Sequence, residues 1–131
     1  MAKTVARKTA TQSLSLIHRS NVNGLSFSDY ALSLPHLENG VELLVVAHDD
    51  NKHDDKAVAL YLPHADGEWE VDGQAAFHVG WLPNNLDESK GAKKILWTLL
   101  DKGFNLRAKI LNHDKNANFQ SHLFIGIWLE H

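Results

Sequence analysis

Residues 41–62 read VELLVVAHDDNKHDDKAVALYL. Two apolar runs, 41–47 and 57–62, flank nine residues, 48–56, and the first eight of these hold four aspartates and two histidines. The runs are rich in Val and Leu and too short for an amphipathic helix, and polar residues bound both. Each therefore reads as a strand buried in a sheet. The loop between them is either a metal site, a solvated acidic turn or part of a binding pocket.

Working outward, the neighbouring segments carry the same signature. SLSLIHR (13–19) alternates briefly, as a strand or a lead-in. In NVNGLSFSDYALSL (21–34), Leu25, Phe27, Tyr30, Leu32 and Leu34 suggest an extended segment with one bulge or bend near Ser28 and Asp29. PHLENG (35–40) is a loop. PHADGEWEVDGQ (63–74) is turn-rich and acidic, with Trp69 and Val71 on a short strand, and AAFHVGWLP (75–83) is a further strand closed by Pro83. Between Pro83 and Gly103, Ile95, Leu96, Leu99 and Leu100 recur at helical spacing, with Lys93, Lys94 and Asp101 off that face. Gly103 suits the position just past a helix, and Gly91 suggests a short helix at 84–88 before a longer one. FNLRAKIL (104–111) alternates, and HLFIGIW (122–128) is a strand with Gly126 at a bend. Many antiparallel strands with one helical insert predict a mainly β, α+β fold: a small, partly open β-barrel resembling the oligonucleotide-binding type.

The 131 residues fit a single domain. The expected division is a basic, flexible arm at 1–12, the barrel at 13–128, and LEH at 129–131 as the start of a vector-encoded tail. There is no cysteine, which excludes disulfides, thiolate nucleophiles and Cys-bound zinc. No apolar run is long enough to span a bilayer, and the first twelve residues lack the apolar core of a secretory signal, so a cytoplasmic location and no membrane partner are expected. Net charge is −3. Lys3, Arg7, Lys8 and Arg19 make one end basic and residues 84–128 are also mildly basic, while the middle is acidic.

The acidic loop matches no metal-site spacing. A calcium loop counted from Asp49 would need Gly at its sixth position and Glu at its twelfth, which is Leu60. No nucleophile elbow or phosphate-binding glycine loop occurs, so no catalytic residue, metal or cofactor is expected. Trp81 stands beside Gly80 and Pro83, where it either packs in the core or stacks on a base from the barrel rim. Lys90, Lys93 and Lys94 are either a solvated helix face or weak phosphate contacts.

GLSF (24–27), DDNKHDDKAVAL (49–60) and VGWLP (79–83), followed by LLDKG (99–103) and NLRAKIL (105–111), occur in an order that resembles the HIRAN domain family. The resemblance covers roughly residues 21–111. It implies an oligonucleotide-binding-like barrel without catalytic activity. Such a module binds single-stranded DNA or its 3′ ends in repair or stalled-fork processing, alongside a helicase or nuclease. By position, the implied pocket uses Phe27, Asn51, His53, Asp54 and Trp81, with Lys56 near an upstream phosphate. The family's end-binding form carries Arg, Tyr and His where Ser26, His53 and Trp81 stand here. Asp54 would accept a hydrogen bond from a terminal hydroxyl, or would satisfy the backbone of its own loop. Titration of His53 would strengthen affinity in mild acid. Two other functions remain compatible with the residues: a protein–protein adaptor on the same barrel, and a metal-dependent phosphoesterase built on the acidic loop.

Overall fold

The structure is a computed structural model that describes residues 14–22, 29–48, 56–83, 87–114 and 123–130, with the backbone alone over 87–92. Seven strands form one antiparallel sheet: β1 Leu14–Asn21, β2 Glu42–His48, β3 Ala57–Pro63, β4 Trp69–Val71, β5 Gln74–Trp81, β6 Leu106–His113 and β7 Leu123–Glu130. Their order is β1-β7-β6-β2-β3-β5-β4, and the end strands β1 and β4 are not paired with each other. The barrel is open, as its sequence pattern predicts. The stretch 41–62 forms the β2–β3 pair at its centre, with Leu44 opposite Tyr61 and His48 opposite Ala57.

Alternation along the strands sends one side-chain set to a shared core. Leu43 and Val45, Val58, Leu60 and Leu62, Phe77 and Val79, Ala108 and Ile110, and Ile125 and Ile127 all pack there. A tight turn joins β4 to β5. Asp72 and Gly73 both have positive φ (51° and 84°), the pairing that a two-residue hairpin of matching twist requires. Gly126 leaves room for the Trp128 ring, whose outer carbons would lie 2.8 Å from a Cβ placed there. Leu129 and Glu130 continue β7. Leu129 pairs with Ser15 and Leu106, and the Glu130 N–H donates to the Asn105 carbonyl at 3.0 Å.

Two local expectations are corrected. Residues 30–34 are not extended: α1 spans Tyr30–Ser33, and a 3₁₀ turn, Leu34–His36, leads into the expected loop. Ser33 Oγ donates back to the Tyr30 carbonyl, and Pro35 presets the turn that follows. Leu32 accordingly faces solvent (64% exposed), while Tyr30 is buried. The Tyr30 hydroxyl meets His113 Nε2 at 2.7 Å, and His113 Nδ1 meets the Leu37 carbonyl. A carbonyl only accepts, so Nδ1 carries the proton and the Tyr30 hydroxyl donates to Nε2. That chain of bonds ties the turn to β6.

The second correction concerns the helix. α2 runs unbroken over Asp87–Asp101, through Gly91. It ends in two reverse bonds, from Gly103 N to the Leu100 carbonyl and from Phe104 N to the Leu99 carbonyl, with Gly103 at φ 92°. Its inward face keeps the expected Leu96, Leu99 and Leu100 but turns away from Ile95 and toward Lys93. Lys93, Leu96, Trp97 and Leu100, at i, i+3, i+4 and i+7, lie toward the sheet. Leu96 and Lys93 are buried, and Ile95 is 62% exposed. Trp97 sets this rotation by donating its indole N–H to the His48 carbonyl at 3.1 Å, at the end of β2.

Candidate nucleic-acid interface

The sheet face opposite the main core carries a second cluster, on β2, β3, β5 and β4. Its floor is made of small residues, Ala59 and Ala76, with Tyr61, Leu44, Val46, Val71 and Trp81 around them. The small floor leaves height for rings to lie across the strands. His48 Nε2 is 3.0 Å from the Tyr61 hydroxyl. His78 is flanked by Tyr61 at 5.1 Å, Trp81 at 4.7 Å and Trp69 at 5.9 Å between ring centroids. His48 also meets Trp81 edge-on at 5.4 Å.

A β-bulge brings His78 and Trp81 together. Their spacing of three would put them on opposite faces of a regular strand. Tyr61 pairs with His78 and Leu60 pairs with Gly80, so Val79 is the extra residue. Val79 turns into the core, and His78 and Trp81 share the outer face.

Asp29 closes the cluster at the edge of β5. Its N–H donates to the His78 carbonyl at 2.8 Å, and its Oδ2 accepts from the His78 N–H at 3.2 Å and from Trp69 Nε1 at 3.1 Å. β4 pairs only with Gln74–Ala76, so Asp29 supplies the hydrogen bonds that a longer edge strand would have made. Burial pushes the His78 imidazole below its ordinary range. Asp29 and a hydrogen bond to the Gly80 carbonyl oppose that shift, and His48 adds to it.

Among the residues expected at the site, Trp81 lies in this cluster, half-buried at the end of β5. The Lys56 ammonium sits 4.0 Å over the Trp97 ring, beside the end of β2. Lys94 is exposed, whereas Lys93 is buried (5% exposed) and is no part of a solvated face. Phe27, Asn51, His53, Asp54 and the Lys90 side chain lie outside the described residues. Asp29, His48, Tyr61, Trp69 and His78 were not expected as a group. The one signal for them was a histidine inside the apolar run AAFHVGW.

Elsewhere the outer face is less suited to phosphate. A cleft of about 570 Å³ is bordered by Glu42, Asp72, Arg107 and Glu130. Arg107 donates to the Glu42 carboxylate from Nη2, at 2.8 and 2.7 Å, and from Nε, at 3.1 Å, and a Glu130 oxygen lies 3.8 Å from its Nη1. Its one positive charge is thus matched by carboxylates. Among the described residues no group of three or more His, Asp or Glu is placed to hold a metal ion. No described helix is long and apolar enough to cross a membrane.

The arrangement defines an open antiparallel α+β barrel with an aromatic and histidine cluster on its outer face. No protein family and no curated protein matches the chain. A crystal structure of a protein from Lactobacillus plantarum, from a structural genomics consortium, superposes with a TM-score of 0.67 at 20% identity. The match covers 92% of this chain and 99% of that one, and at this identity it shows a shared fold.

Proposed function

We propose that this chain is a non-enzymatic nucleic-acid-binding module of the HIRAN type, which holds single-stranded DNA or its 3′ ends during repair or fork processing in the cytoplasm, beside a helicase or nuclease. The observation that carries the reading is Trp81: a half-buried indole at a strand end, backed by His78 and His48 on a sheet face floored by alanines. A base stacked on such a ring gains ~1–3 kcal/mol whatever its identity, which suits a module that binds strands without reading long sequences. Lys56, next to the end of β2, supplies positive charge near the same edge. The β-sheet face, rather than a helix, is the recognition element.

The test is a titration of the protein against labelled single strands carrying a 3′-hydroxyl or a 3′-phosphate, at two salt concentrations. Binding that weakens as salt rises supports the reading, and loss on 3′-phosphorylation supports the end pocket. Absence of binding at micromolar protein in low salt overturns it and favours the adaptor function, for which exposed Ile95 and Phe104 offer apolar surface. Strand cleavage on adding divalent metal would instead establish the phosphoesterase.

A further inference from the structure

Among the described residues, His78 is a buried side chain that the fold leaves unsatisfied. Its residue is 6% exposed, and its Nε2 is fully buried with no hydrogen-bond partner among them. The Gly80 carbonyl takes a hydrogen bond from the ring, and a carbonyl only accepts. With Nε2 unpartnered, the tautomer that satisfies the Gly80 carbonyl carries its proton on Nδ1, and it leaves Nε2 with a bare lone pair. Burial keeps the ring neutral, which preserves that lone pair. A buried acceptor without a donor is costly to leave unmade, and proteins keep few of them.

The lone pair sits inside the cluster that is read above as the base platform. Trp81 stands edge-on to the imidazole, at 81° between ring planes, and occupies the end of its strand. An outward swing of that indole would open one side of the imidazole and present the indole face. An apolar ring entering alone would leave the acceptor unmet, whereas a base with an N–H donor on its edge satisfies it.

We infer that His78 is a specificity-determining residue, whose Nε2 accepts a hydrogen bond from the exocyclic amino group of a nucleobase stacked on Trp81. This rests on the nucleic-acid reading of the site. Adenine and cytosine carry such an amino group where hypoxanthine and uracil carry a carbonyl oxygen. An oxygen facing the Nε2 lone pair is repelled and leaves both acceptors unpaired. The site therefore prefers amino-bearing bases over their oxo counterparts of equal size.

The experiment uses short single strands of otherwise identical sequence that end in cytosine or uracil, and in adenine or hypoxanthine. The expected result is about tenfold tighter binding of the amino-bearing member of each pair. In nitrogen-detected NMR of the wild-type protein, His78 Nε2 is unprotonated, and its resonance moves with the cytosine strand more than with the uracil strand. His78→Phe equalises the pairs while retaining salt-dependent binding. Equal affinity within both pairs for the wild-type protein, or a protonated Nε2 in the free protein, overturns the inference and leaves the nucleic-acid reading standing. Failure of every strand to bind overturns that reading itself. Should His78→Phe not fold, the wild-type base pairs and the Nε2 resonance decide alone.

Discussion

Replacing Asp29 with alanine tests whether the outer cluster is held as described. The Asp29 carboxylate does not cap α1, although it directly precedes that helix. Its Oδ2 accepts two hydrogen bonds, from the His78 backbone N–H and from the Trp69 indole. Alanine orphans the partly buried His78 N–H, at about 1–2 kcal/mol, while the exposed Trp69 N–H turns to water at about 0.5 kcal/mol. The sum is about 2 kcal/mol. Over 131 residues, a melting entropy of about 2.1 cal/mol/K per residue gives about 0.28 kcal/mol/K, so the midpoint falls by about 7 °C. Asp29→Asn keeps one carbonyl oxygen and loses less than half of that. Thermal unfolding by circular dichroism gives the midpoints, and tryptophan emission reports release of Trp69, as a red shift in Asp29→Ala. A midpoint within about 2 °C of the wild type, with unchanged emission, would refute the argument that Asp29 fastens β5 and Trp69.

Trp81→Ala lies at the surface of the cluster and is expected to weaken single-strand binding by roughly 5- to 150-fold, the equivalent of ~1–3 kcal/mol, with the salt dependence retained; affinity loss below twofold would remove Trp81 from the site. Gly67→Ala drives a Cβ into the backbone of Ala76, opposite Trp69 in the β4–β5 ladder. It is expected to cost about 1–3 kcal/mol and to shift tryptophan emission as Trp69 leaves Tyr61 and His78; an unchanged midpoint counts against the β4 placement. Burial depresses His78 and His18 below 6.5, their value in the unfolded chain. The unfolded state then binds more protons as acidity rises. Stability is therefore full above pH 6.5 and declines as pH falls through it. Urea unfolding from pH 8 to 5 should show that decline, shallower in His78→Phe, and a flat profile would contradict the burial of both rings.

The sheet was legible because its strands are uninterrupted. VELLVVA and AVALYL leave no alternative to buried extended chain, and the turn-rich stretch 63–74 marks the short strand between β3 and β5. Residues 30–34 read as extended because Tyr30, Leu32 and Leu34 mimic strand alternation. The features that decide, Ser33 bonding back to Tyr30 and His113 reaching Tyr30 from β6, are respectively a rotamer and a contact 83 residues away. The helix face was misread for a similar reason. Ile95 fits the periodicity as well as Lys93 does, and only the bond from Trp97 to the His48 carbonyl selects the rotation.

The candidate site was harder to read than either, and the cause is the bulge at Val79. Period-two reading puts His78 and Trp81 on opposite sides of β5, so the pattern that finds the strand separates the two residues that the fold joins. One inserted residue reverses the register beyond it and places an indole beside an unpartnered imidazole nitrogen. Asp29 completes the group from a turn 49 residues earlier in the chain. Neither event leaves a trace in composition or spacing. A histidine within AAFHVGW is the visible remnant, since a polar ring inside a buried strand needs a partner or a use. Here the fold gives its Nδ1 a partner and leaves Nε2 without one. Deleting Val79 would make β5 regular with Gly80 still opposite Leu60 and Trp81 still opposite Ala59, so Trp81 should stay on the outer face and base stacking should persist, while the lost core contact of Val79 lowers stability.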